Sequence, residues 1–192
     1  MLDAAIVLGL ALRCAPGVAP ETLLALSRVE SGLDPLAIHA NGPGARAPAA
    51  RSVPEAVTAA RALLATGRSV DLGLAQINSA NLGPLGLSVE TAFDPCRSLA
   101  AGAALLRSAY ADARRAAPPQ AALRTALSVY NTGDRRRGWR NGYVARVAAA
   151  ASAGPAARPN GPPSNPATWD VFAELRSAEV LVLSTPLQGD AP

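Results

Sequence analysis

Pro20-Glu21-Thr22-Leu23-Leu24-Ala25-Leu26-Ser27-Arg28-Val29-Glu30-Ser31-Gly32 reads as a helix, with a proline in its first turn and a glycine placed to end it before Asp34-Pro35. At the i, i+3, i+7 spacing Leu23, Leu26 and Glu30 share one face, so a carboxylate points where core is expected. Burial penalises the charged form of such a group and raises its pKa. A protein makes a general acid for neutral pH in this way. The plainer alternative has Glu30 closing the helix at its polar edge, paired with Arg28 or Arg61.

Working outward, 192 residues with 49% hydrophobic side chains suit one domain with room for an appendage. The 17 prolines crowd after Gly154, which divides the chain into an ordered part, residues 1–152, and a Pro-rich tail, residues 153–192, expected to be flexible and disordered. Within that tail Trp169 to Phe172 and Val180 to Leu183 are apolar clusters in a polar setting, suited either to binding a partner or to folding back on the domain. All 18 basic side chains counted as Lys or Arg are arginine, a composition bias. The net charge of +4 is consistent with an anionic partner without naming one.

The apolar run from Ala4 to Leu12 is much shorter than the roughly 20 residues a membrane span needs, so no transmembrane segment is expected and residues 4 to 13 read as a first helix. Its length would also suit an export signal, but Asp3 stands where a basic flank belongs. The single histidine and scattered acids form no ligand set, so neither a metal nor another cofactor is expected. Cys14 and Cys96 match neither a metal site nor a CxxC pair. In an oxidising compartment they could form one bridge, worth roughly 4 kcal/mol by loop entropy; in a reducing one they would be two buried thiols.

The rest of the ordered part is mostly helical. Ser52-Val53-Pro54-Glu55 has capping-box spacing and opens a helix to about Thr66. Asp94-Pro95 opens a long one to about Ala117, stopped by Pro118-Pro119. Further helices cover about Ala121 to Tyr130 and Asn141 to Ala151. His39 to Arg51 is rich in Gly, Pro and Ala and reads as irregular, with His39 a loop residue; Ser69 to Asn78 alternates weakly, as a short strand or extended loop would. The fold class is mainly α (α+β), with a small irregular or β element.

Two more segments bear polar groups. In Asp71-Leu72-Gly73-Leu74-Ala75-Gln76-Ile77-Asn78, glycine permits close backbone approach, and Gln76 and Asn78 share a side if the run is extended. Their amides both donate and accept, which suits sugar hydroxyls and acetamido groups. In Tyr130-Asn131-Thr132-Gly133 a tyrosine at a helix end has an apolar body to pack and a hydroxyl free for a polar partner. Alone, each segment is equally well a turn glycine, a helix cap or a core tyrosine.

Taken in order, Glu30-Ser31-Gly32, Gly73 to Asn78 and Tyr130 to Gly133 resemble the lytic transglycosylases with a goose-lysozyme-like fold. The chain looks most like the small members encoded with type IV secretion and conjugation machinery, whose flavour is also carried by Cys14 to Pro20 and Phe93-Asp94-Pro95-Cys96. The likeness covers about residues 5 to 150. It implies a lysozyme-like domain in which Glu30 is the single catalytic acid/base acting on peptidoglycan glycan strands. It further implies that Ser31 sits near substrate, that Gln76 and Asn78 line the glycan cleft, and that Tyr130 and Asn131 lie beside Glu30, with the tyrosine hydroxyl orienting the carboxyl group. The implied place is the periplasm, with secretion components as partners through the tail.

Asp71, two residues before Gly73, is a candidate second carboxylate. If it faces Glu30 across the cleft, lysozyme-type hydrolysis becomes available; the alternative is a strand-start or turn aspartate. Asp34 and Asp94 precede prolines and read as turn or cap residues. A non-catalytic glycan-binding assembly factor is the third class. Arg135-Arg136-Arg137 with Trp139 and Arg140 suits either an anionic ligand, most simply muramyl peptide carboxylates, or a solvated loop; nucleic acid is not the expected partner.

Overall fold

The computed structural model describes residues 1–44 and 46–154. Helix α1 (Ala4–Cys14) starts where the Asp3 carboxylate accepts a hydrogen bond from the Ala5 N–H at 2.8 Å and buries Val7 and Ala11. Helix α2 (Pro20–Ser31) has its proline in the first turn, and Gly32 ends it in the left-handed region at φ 61°, a conformation glycine adopts without penalty. Leu23 and Leu26 are fully buried. The α2 helix packs on α1 and, on another side, on α8 (Tyr143–Ser152).

Helix α3 (Val53–Ala65) is capped by Ser52, whose hydroxyl accepts from the Glu55 N–H. The Glu55 carboxylate reaches back to the Arg51 N–H at 2.9 Å, one residue beyond the usual reciprocal partner. Helix α5 (Pro95–Arg114) begins at Asp94, which caps the Arg97 N–H at 2.8 Å. It forms the centre of the core and packs against α1 and α6 (Pro119–Thr132). Two short helices, α4 (Val89–Ala92) and α7 (Arg137–Arg140), and a 3₁₀ turn at Ser79–Asn81 were not expected from periodicity, because a single turn is too short to display it.

A small antiparallel sheet has the order β1 (Ile38–Ala40), β2 (Val70–Leu72), β3 (Ile77–Asn78). Strand β1 lies where sequence composition suggested only an irregular stretch, so His39 is a strand residue. In register, His39 faces Asp71 and Asp71 faces Asn78, while Ile38, Leu72 and Ile77 align on the other side. Side chains directly opposite in a ladder share a face. The apolar set is therefore turned into the core and the polar set is turned outward. The mainly helical architecture with its small sheet agrees with the expected fold class. The expected flexible tail, residues 153–192, lies outside the described residues from residue 155 on.

Candidate active site

Glu30 is the penultimate residue of α2 and stands on the same face as Leu23 and Leu26, with only partial access to solvent. The sequence offers Arg28 and Arg61 as partners for the carboxyl. Arg61 instead binds Glu90 across the exposed surface at 2.5 Å, and Arg28 donates to the carbonyls of Ala150 and Gly154 at 3.3 and 2.7 Å. Those last contacts satisfy carbonyls at the end of α8 and hold α8 on α2. Burial, the largest cause, pushes the Glu30 carboxyl from 4.5 up to about 7, and the negative charge of Asp71 adds to the rise. A hydrogen bond from Tyr143 and the charge of Arg146 act in the opposite direction.

The hydroxyl of Tyr143 donates to Glu30 Oε1. Its ring is buried at 1% exposure, so the hydroxyl cannot turn away without leaving a buried polar group unpaired. Burial and the neighbouring Glu30 raise the Tyr143 pKa well above its ordinary range, so the group is a donor. Its place at the first turn of α8 is set from outside that helix. Asn141 Oδ1 accepts from the Tyr143 N–H at 3.0 Å, and Asn141 Nδ2 donates to Asn131 Oδ1 at 2.9 Å. Asn131, at the end of α6, is thus linked through Asn141 to the residue that meets Glu30.

This arrangement corrects the expectation that the Tyr130 hydroxyl orients the carboxyl. Tyr130 donates to the Ala75 carbonyl at 2.7 Å. The Gly73 to Gln76 connection between β2 and β3 is held on every side. Ser31 Oγ donates to the Leu74 carbonyl at 2.8 Å, Ser98 Oγ accepts from the Ala75 N–H at 3.0 Å, and Gln76 Nε2 donates to the carbonyls of Gly73 and Ala37 at 2.9 and 3.1 Å. Gly73 has φ 73°, and a Cβ there would collide with the Ala92 carbonyl oxygen, so only glycine fits. Gly102 on α5 similarly leaves room for both Ala75 and the Tyr130 hydroxyl, which would lie 2.9 and 3.0 Å from an added Cβ. The motif residues thus lock the loop against α2, α5 and α6.

A cleft of about 370 Å³ opens beside Glu30, within the usual range for ligand sites. Asp71, Gln76, Asn78, Tyr130 and Asn131 all line it with Glu30, whereas Ser31 does not. The serine, expected near substrate, spends its hydroxyl on Leu74 and Ser27 carbonyls. Asp71 faces the cleft from the polar side of the sheet. Asn78 Nδ2 donates to Asp71 Oδ1 at 2.6 Å and Asn41 Nδ2 to Oδ2 at 3.0 Å, so one amide serves each oxygen. Asn41 and Ser69, which sequence reasoning passed over, complete this polar platform. Asp34 and Asp94 accept from the backbone of Leu36 and Arg97 and so act as turn and cap residues. Cys14 and Cys96 are joined, with Cα atoms 5.4 Å apart, which ties the end of α1 to the first turn of α5. Among the described residues no three His, Cys, Asp or Glu side chains cluster as a metal site, and no helix is long and apolar enough to cross a membrane.

Such a site can donate one proton from a buried carboxyl into an open, amide-lined cleft and take one back. The transglycosylase SLT domain family matches residues 10–151. Protein virB1 of Agrobacterium fabrum is 44% identical over 169 residues, which is 85% of this chain and 69% of the relative. Protein virB1 of Rhizobium radiobacter is 45% identical over 139 residues, 72% of this chain and 58% of the relative. The type IV secretion system protein virB1 of Brucella abortus is 40% identical over 149 residues, 74% and 62% of the two chains. The matched region thus spans between 58% and 69% of these relatives. No solved structure matches. A match of this extent over the residues that build the cleft places the chain in the transglycosylase SLT domain family.

Proposed function

We propose that the chain is a peptidoglycan lytic transglycosylase that opens the cell wall for a type IV secretion or conjugation apparatus, working on the periplasmic side. The observation that carries the chemistry is Glu30: a desolvated carboxyl with its pKa near 7 on the wall of an open cleft. At neutral pH a substantial fraction holds its proton. Protonated Glu30 gives that proton to the glycosidic oxygen between N-acetylmuramic acid and N-acetylglucosamine as the C1–O bond breaks. The ionised carboxylate then takes the proton of the muramic C6 hydroxyl while that oxygen bonds to C1. The product carries a 1,6-anhydro ring, Glu30 is again protonated, and no water is consumed. Tyr143 steadies the carboxyl through both transfers, and the Gln76, Asn78 and Asn41 amides suit the acetamido and hydroxyl groups of the glycan.

Asp71 supports a second reading, lysozyme-type hydrolysis, because it shares the cleft with Glu30 and its charge is felt there. The two amides clamped on its oxygens favour a fixed charge that stabilises an oxocarbenium-like state over a nucleophile. Purified peptidoglycan digested with the wild-type chain and with Glu30→Gln, followed by mass spectrometry of the ends, separates the cases. Anhydro ends that vanish in the variant are expected. Reducing ends would replace the proposal by hydrolysis with Asp71, and no cleavage by a folded wild-type chain would replace it by a glycan-binding assembly role.

A further inference from the structure

The loop that follows the cleft-lining end of α6 carries Arg135, Arg136 and Arg137, with Trp139 and Arg140 in the next turn, all exposed. Trp139 leaves 47% of its surface in solvent. The loop is fastened. Ser128 Oγ donates to the Asp134 carbonyl at 2.7 Å and accepts from the Gly138 N–H at 2.9 Å. A Cβ at Gly138 would lie 2.6 Å from Ser128 Cα, so the approach needs glycine. The nearby acid, Asp134, caps the Arg136 and Arg137 N–H groups at 2.8 and 2.7 Å. Both of those hydrogen bonds fall on Oδ1 of the exposed carboxylate, whose charge is also felt by Arg137 and Arg140, and none of the four guanidinium groups forms an ion pair among the described residues.

Charge is therefore partitioned along one surface. The cleft holds two carboxyl groups and several amides, which suits an uncharged sugar chain and repels anions. The cationic set begins two residues past Gly133, the last cleft residue on that side, after Asp134. It is tied back to the cleft by the bond between Asn141 and Asn131. A peptidoglycan strand has the same partition, a neutral glycan with carboxylates on the peptide stems that branch from it. Resting on the cleft reading above, we propose that Arg135, Arg136, Arg137 and Arg140 bind stem-peptide carboxylates, so that the protein prefers peptide-bearing strands over naked glycan. Guanidinium groups pair with carboxylates in bidentate fashion, and Trp139 offers an apolar face for the peptide's methyl and methylene groups.

The test titrates the full chain, carrying Glu30→Gln so that no strand is cut, with intact soluble glycan strands that keep their stem peptides and with the same strands stripped of peptides by an amidase, binding being read by calorimetry, for the wild-type arginine loop, R135Q/R136Q/R137Q and R135K/R136K/R137K. Circular dichroism checks folding. The wild-type loop should bind intact material about tenfold more tightly than stripped material at low salt, with the preference gone at about 1 M salt. The Gln variant should lose the preference and the Lys variant should keep most of it. Equal binding of both materials by the wild-type loop, or a preference untouched in the Gln variant, would overturn the inference. So would loss of single-stranded DNA binding in the Gln variant with the peptide preference unchanged, which would assign the patch to nucleic acid. Because binding is read without cleavage, the absence of anhydro ends would count against the proposed chemistry alone.

Discussion

The burial of Glu30 has a thermodynamic signature that can be measured without substrate. A carboxyl whose pKa is 4.5 when solvated and about 7 in the fold binds its proton more tightly folded than unfolded. Between those values the native state holds more protons than the unfolded state, so stability falls as pH rises. The full stability is present below 4.5 and the loss is complete above about 7. At roughly 1.4 kcal/mol for each tenfold in proton affinity, the interval amounts to about 3 kcal/mol. Glu30→Gln keeps an oxygen to accept from Tyr143 but never ionises. The variant is therefore expected to match wild type at pH 4 and to exceed it by about 3 kcal/mol at pH 8. Urea unfolding followed by circular dichroism at pH 4, 5, 6, 7 and 8, with the disulfide intact, gives the difference directly. A difference that stays flat across this range would refute the claim that the fold desolvates this carboxyl.

Tyr143→Phe removes the donor to Glu30, a bond of the charge-assisted kind worth about 1.5–3 kcal/mol. Cleavage should fall about 10- to 100-fold, and the pH limb of kcat/KM should move upward, since the hydroxyl lowers the Glu30 pKa; an unmoved limb would break the assignment. Gly73→Ala combines a left-handed φ of 73° with a collision against the Ala92 carbonyl, and should cost about 2–4 kcal/mol in chemical denaturation. Replacing both Cys14 and Cys96 by serine opens a loop of 82 residues and should cost about 4 kcal/mol by the loop-entropy relation. Ser27 is fully buried with no partner for its hydroxyl among the described residues, so Ser27→Ala should raise the melting temperature; a fall would count against the unpaired hydroxyl.

The α2 helix was legible because its apolar spacing, its initial proline and its terminal glycine all agree, and Glu30 was conspicuous as the member that broke the stripe. Caps at Ser52 and Asp94 were legible for the same local reason. Strand β1 was hidden, since three residues in a stretch rich in Gly and Pro give no alternation to detect. The hydroxyl that meets Glu30 is that of Tyr143, whereas the sequence points to Tyr130. Both Tyr130 and Tyr143 stand near helix ends, and the sequence does not say which helix lies against α2. That is decided by contacts between residues more than 100 positions apart, such as Arg28 with the Ala150 carbonyl. A local signal did exist at Tyr143: a large aromatic in the first turn of a helix, after an Asn-Gly pair, on the stripe that continues through Val147 to Ala151.

The bridge between Cys14 and Cys96 encloses α2, the sheet and the loop from Gly73 to Gln76 within one covalent ring. Glu30 and Asp71 belong to that ring, while Tyr130, Asn131 and Tyr143 arrive from helices outside it. The cleft is thus a seam between a cyclised half and an open half of the chain. The cross-link restricts the unfolded chain only within the first half, so the two walls of the cleft draw their stability from different sources.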